Sequence, residues 1–187
     1  YLNENLIPWK PIKGSGGYVA PARISAVTCL VKMARGERAD GQEIADMLKL
    51  MPSRLDDGGE LFVRGTKKWF EDADNRKKIY PVTLAESDCF GATDKFKELV
   101  SSGHYKELLE DPARKAVAAA EKHGLEAIKA PTVRVGTCHA SKGLESDHVV
   151  AFNQVPNPTV RACEEQTGMD EECRMWYTTV TRARHKL

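Results

Sequence analysis

The sequence has no G-x-x-x-x-G-K-S/T loop, no C-x-x-C pair and no apolar run long enough to cross a bilayer. The first absence excludes a P-loop nucleotide site built by this chain alone. The second, with no His-x-x-x-His beside it, argues against a zinc module, and no metal site is expected. The third excludes a membrane-spanning helix, and no signal-peptide pattern opens the chain. Charge of one sign is not in excess either: 27 acids stand against 28 bases. That balance argues against a protein that coats DNA by bulk charge, yet a local basic groove would be enough for nucleic acid. Cys29, Cys89, Cys138, Cys163 and Cys173 are odd in number and widely scattered, which reads as reduced thiols in a cytoplasmic protein.

With 187 residues the chain can bury one substantial core, or form one domain carrying an insertion. Pro21 opens a helix whose Ile24, Val27, Leu30, Val31 and Ala34 share a face, with Gly36 as its stop. Asp40-Gly-Gln-Glu43 reads as a capping box for a second helix with a stripe of Ile44, Met47, Leu48 and Met51, ended by Pro52. Asp56–Gly59 is a turn. Phe96, Leu99 and Val100 mark another amphipathic stripe, and Ala113–His123 is a strong helix former closed by Gly124. Gly14-Ser-Gly-Gly17 reads as a flexible turn, since no Gly-Lys-Ser/Thr follows it. Arg64–Phe70 mixes cations with aromatics, a composition suited to single-stranded nucleic acid, although a solvated face with two anchored aromatics is the preferred reading.

Two stretches carry the chemistry. In the first, Thr132–Glu145, short β-rich segments flank a polar loop holding Thr137, His139, Ser141, Lys142 and Glu145 around Gly143, and the apolar run His148–Phe152 follows. Hydroxyl, imidazole and ammonium groups suit phosphate oxygens, and a glycine lets backbone approach a ligand. In the second, Glu171–Lys186 reads as a helix with Cys173, Trp176, Tyr177 and Val180 as its packed stripe. Arg182 falls off that stripe, placed to reach outward. Trp176 and Tyr177 read as core, and Arg174 as solvated.

Thr137-Cys-His-Ala-Ser-Lys-Gly-Leu-Glu145 and Tyr177-Thr-Thr-Val-Thr-Arg-Ala183 together resemble motifs V and VI of superfamily 1 DNA helicases of the UvrD/Rep type, in order and separation as well as in residues. The resemblance is specific over about residues 132–187, thin over 1–35 and negligible across the stretch between. It implies an α/β fold: an incomplete RecA-like (P-loop NTPase-type) domain with a parallel sheet, called 2A, in residues 1–35 and 125–187. Residues 36–124 would be a mostly helical, 2B-like insertion, shorter than is usual there. It also implies a fragment of a longer protein, whose missing N-terminal RecA-like domain brings the phosphate-binding loop and the carboxylates for Mg2+.

By motif position, Arg182 would be the arginine finger on the γ-phosphate of ATP, and Gly143 and Glu145 would face the nucleotide, Glu145 on the ribose or the water network. Thr137, His139 and Ser141 would contact DNA phosphates, with Lys142 between the two sites. The implied activity is ATP-dependent 3′→5′ movement on single-stranded DNA or at a single-strand/duplex junction. A non-catalytic nucleic-acid-binding or interaction module that kept helicase-like loops is the alternative. A thiol hydrolase on Cys138 and His139 is disfavoured, because neighbours on a strand point to opposite faces.

Overall fold

A computed structural model describes residues 1–14, 17–152 and 157–186. It is a mixed α/β chain rich in helix, with two small sheets and two compact units. The larger unit comprises Tyr1–Lys10 and Gly16–Val133, and the smaller one Pro11–Ser15 and Arg134–Leu187.

The larger unit is built by helices whose ends the local sequence dictates. Helix α1 (Pro21–Ala34) starts with proline in its first turn and gives way to Gly36 at φ +73°. Asp40 caps α2 (Gly41–Leu50): its carboxylate accepts from the backbone N–H groups of Gln42 and Glu43, and the Glu43 carboxylate accepts from the Asp40 N–H. That reciprocal pairing is the expected capping box. Lys32 on α1 donates to both Glu43 oxygens, at 2.6 and 2.8 Å, tying the pair together. The stripe of Ile44, Met47, Leu48 and Met51 is buried with Val27, Leu30 and Met33 of α1.

Short α3 (Thr66–Trp69) and α4 (Ala73–Lys78) follow, then α5 (Asp94–Ser102), α6 (Asp111–His123) and α7 (Leu125–Lys129). Phe96 and Val100 of α5 and Ala113, Ala116, Val117 and Ala120 of α6 join the same core. Gly124 ends α6 at φ +88°. Of the two aromatics expected to be anchored, Phe70 is buried against Trp69 and Phe90, whereas Trp69 stays 40% exposed.

Strand β1 (Trp9–Pro11) forms a two-stranded sheet with β2 (Val133–Val135), where the chain passes from one unit into the other. Within the smaller unit, Ile12 donates its N–H to the Val135 carbonyl at 2.9 Å. There β3 (Ser146–His148) pairs in parallel with β4 (Ala183–Lys186), so the stretch Glu171–Lys186 expected as one helix ends instead in a strand. Helices α8 (Asn157–Ala162) and α9 (Gln166–Val180) lie between them in sequence.

Within the larger unit α1 packs with α2 and α6. Several expectations differ from what is found. The strands flanking the polar loop are not buried, and β3 stops at His148, leaving Val150 and Phe152 80% and 82% exposed. Part of the Gly14–Gly17 turn, residues 15 and 16, lies outside the described residues.

Candidate functional site

All the residues singled out for chemistry lie in the smaller unit, on one loop and at one helix end. The loop begins as a tight turn. Thr137 accepts the Ala140 N–H on both its hydroxyl (3.2 Å) and its carbonyl (3.0 Å), and its carbonyl also accepts from Ser141. The hydroxyl thus acts as a cap, the role threonine takes when helix-like turns start. Ser141 donates its own hydroxyl to the Cys138 carbonyl at 2.7 Å. His139 and Lys142 are exposed on this turn. Gly143 closes it at φ +81°, and a Cβ there would meet nothing within 4 Å. The left-handed backbone explains the glycine, and the open space beside it leaves room for a ligand.

Cys138 and His139 sit in this turn rather than on a strand, so the strand-face argument against a thiol hydrolase does not apply. Geometry disfavours it in another way: among the described residues the thiol and imidazole share no hydrogen bond.

The helix end is held from two sides. Thr178, Thr179 and Thr181 each donate a hydroxyl to the carbonyl four residues back, stitching the last turns of α9. The Arg182 N–H donates to the Thr179 carbonyl at 3.2 Å, and its carbonyl accepts the Ser146 N–H at 3.0 Å. Its guanidinium does not reach outward as expected. Nε donates to the Thr178 carbonyl and Nη2 to the Thr181 hydroxyl, both at 3.1 Å, so the side chain is half-buried along its own helix. Unsatisfied carbonyls at a helix C-terminus attract cations, which accounts for this conformation.

The expected stripe of α9 is also corrected. Cys173, Tyr177 and Val180 are exposed, Tyr177 by 71%, while Thr179 is buried and Met175 and Trp176 are half-buried. Trp176 donates its indole N–H to Glu172 at 3.0 Å. Arg174 is exposed, as expected.

The β3–β4 pairing unites the two stretches. Ser146 stands opposite Ala183, so Glu145 and Arg182, the residues immediately before them, are brought side by side. Glu145 is engaged by a residue the sequence reading had not singled out. Arg184 directs Nε (2.9 Å) and Nη2 (2.8 Å) at one carboxylate oxygen, Oε2. Opposite charges two residues beyond a motif arginine were the only sequence signal, and the strand register needed to use it is non-local. His185 lies 3.9 Å from Asp147 across the same pair of strands. The loop turn and the helix end are joined through β3, by the bond from the Ser146 N–H to the Arg182 carbonyl.

Arg182 Nη1 has no hydrogen-bond partner among the described residues. Among the described residues no group of three His, Cys, Asp or Glu side chains could hold a metal ion. Among the described residues no helix is long and apolar enough to cross a membrane.

The chain is thus mixed α/β, with a glycine-closed turn running into β3 and an arginine-bearing helix end running into β4. The family model of the UvrD-like helicase C-terminal domain matches residues 73–187, and the chain belongs to that family. Its role is therefore of the helicase type, on a nucleic-acid substrate. The match begins at α4, well inside the stretch where the resemblance had been negligible, and does not include residues 1–35. Comparisons with the curated proteins and with solved structures returned no match.

Proposed function

We propose that this chain supplies motifs V and VI to an ATP site completed by another RecA-like domain, and couples hydrolysis to 3′→5′ movement on single-stranded DNA or at a junction. In this reading residues 1–35 and 125–187 correspond to domain 2A with its parallel sheet, and 36–124 to a 2B-like insertion. The observation that carries it is the 3.0 Å bond from the Ser146 N–H to the Arg182 carbonyl, which sets Glu145 beside Arg182 as one ATP-facing edge would require.

Arg182 acts as the finger. Charge builds on the equatorial phosphoryl oxygens during transfer, and an arginine there is worth ~10³–10⁵ in rate. Lysine would substitute poorly, because the planar fork directs several donors at once. To reach the γ-phosphate the guanidinium leaves the Thr178 carbonyl and Thr181 hydroxyl, while its backbone stays fixed by Thr179 and Ser146. Gly143 and Glu145 face the nucleotide. His139 and Lys142, exposed on the turn, hold DNA phosphates together with Thr137, whose hydroxyl hydrogen remains available. Ser141 joins them only by releasing the Cys138 carbonyl. The motif V turn continues directly into β3, the strand bonded to Arg182, so closure around ATP and the grip on DNA change in one movement. The Mg2+ carboxylates and the phosphate-binding loop come from the other domain.

The turned-back guanidinium favours a second reading, a non-catalytic nucleic-acid module. One experiment separates the two: DNA-stimulated ATP hydrolysis by the full-length parent, wild type against Arg182→Ala, with DNA affinity measured at fixed salt. Turnover falling by orders of magnitude with DNA binding intact supports the motor. Unchanged turnover, or none in the wild type, leaves the module.

A further inference from the structure

Glu145 is not left to find its own conformation. Its carboxylate lies on the turn just before β3, exposed by 54%, where a glutamate side chain is ordinarily mobile. Arg184 removes that freedom in a particular way. The Nε hydrogen bond at 2.9 Å and the Nη2 ion contact at 2.8 Å both fall on Oε2 rather than straddling the two oxygens as a bidentate fork would. Among the described residues Oε1 has no partner, so the carboxylate is fixed and half of it stays open to a donor.

The register makes this placement dependable. Ser146 is held to Arg182 by the backbone, and Ala183 stands opposite Ser146. Arg182 lies in the turn just before β4, and Arg184 is the second residue of that strand. One arginine is parked on the helix end and the other grips the carboxylate, with a single residue between them.

Resting on the nucleotide site proposed above, we propose that Arg184 is a positioning residue that orients Glu145 so that Oε1 accepts a hydroxyl of the nucleotide's ribose. A ribose hydroxyl is a donor, and a carboxylate oxygen already oriented binds it without ordering a side chain first. Arg184 itself touches no nucleotide and takes no part in phosphoryl transfer. The pair is too exposed to serve the fold, since ion pairs in water add little to stability. Its consequence is selectivity for a nucleotide that carries ribose hydroxyls.

The test uses the full-length parent and equilibrium binding, which needs no hydrolysis. Titration calorimetry would give Kd for ADP and for 2′,3′-dideoxy-ADP, in the wild type and in Arg184→Ala and Arg184→Lys, beside steady-state turnover of ATP. Arg184→Ala should weaken ADP about fivefold, the worth of one ordinary hydrogen bond. It should leave dideoxy-ADP and kcat nearly unchanged, and Arg184→Lys should recover part of the loss.

If both nucleotides weaken together, or neither does, Arg184 merely braces two strands and the inference fails. The exchange Glu145→Arg with Arg184→Glu keeps an ion pair but moves the carboxylate. Recovery of the preference for ADP in that exchange would also sink it. The underlying reading fails separately: if Arg182→Ala hydrolyses ATP as the wild type does, there is no motor site, and this inference goes with it.

Discussion

The two units of this chain solve opposite problems. The larger one buries its apolar side chains, from Val19 to Ile128, in a single cluster dominated by α1, α2, α5 and α6. The smaller one buries only Thr179 among its described residues, and exposes Val135, Leu144, Val150, Phe152, Val160, Met169, Tyr177 and Val180. Yet every residue assigned a role in binding or catalysis is in the smaller one. The core supplies stability, and the candidate site is held by hydrogen bonds among a turn, a helix end and two short strands. Loss of function and loss of fold should therefore come apart.

The sharpest test of that separation is Arg182→Ala. It should lower DNA-stimulated turnover of the full-length parent by roughly a thousandfold or more, while the denaturation midpoint of the larger unit stays where it is. Coincident loss of both would erase the distinction.

Next in size are paired truncations of one residue type. Phe96 is fully buried, and Phe96→Ala should cost about 3–5 kcal/mol in a urea titration. Phe152 is 82% exposed, and Phe152→Ala should stay within about 0.5 kcal/mol. A comparable cost at Phe152 would mean that the smaller unit holds a core of its own.

Alkali provides a third contrast. Burial, reinforced by Glu121, pushes the Tyr105 hydroxyl from 10.0 to about 12. The folded state therefore keeps a proton that the unfolded chain releases. Stability is fully present below pH 10 and should decline as the pH rises toward about 12. Tyr105→Phe should flatten that decline, measured as unfolding free energy at successive pH values.

A smaller effect is expected at the α2 cap. Asp40→Ala should cost about 1 kcal/mol, whereas Thr137→Ala, which removes the corresponding cap on the exposed turn, should move DNA affinity more than the unfolding midpoint. Smallest of all is a difference in labelling. Cys29 is buried and its thiol is pushed up by burial, so iodoacetamide should leave it unmodified in the native chain. Exposed Cys173 should react under the same conditions. Native reactivity at Cys29 would show that the larger unit opens readily.

How much of this was legible in the residues follows the same division. Pro21, the Asp40–Glu43 box and Gly124 act on their nearest neighbours, and the helices they bound appear where those signals lie. The stripe on α9 misled because periodicity identifies an apolar face without saying that it is covered; the chain instead turns Thr179 and Met175 inward, a pair no hydropathy pattern selects. The apolar run His148–Phe152 drew attention for its hydrophobicity, but β3 takes the polar Ser146-Asp-His148, whose partner Ala183–Lys186 is distant in sequence. Arg184 went unnoticed for the same reason, since its role exists only in that register. Motif residues named the family, and the geometry that joins them came from pairing the sequence does not display.

The bond between Ile12 and Val135 carries a consequence for how the protein is made. Residues 11–15 belong to the smaller unit but leave the ribosome before nearly all of the larger one. At cellular elongation rates of about 5–20 residues per second, Ile12 waits roughly ten seconds for its partner. During that interval α1 to α7 can complete their core without it. Order of synthesis thus favours the stable unit first, and the strand that reaches back to Ile12 closes the loop only once the helical core is already in place.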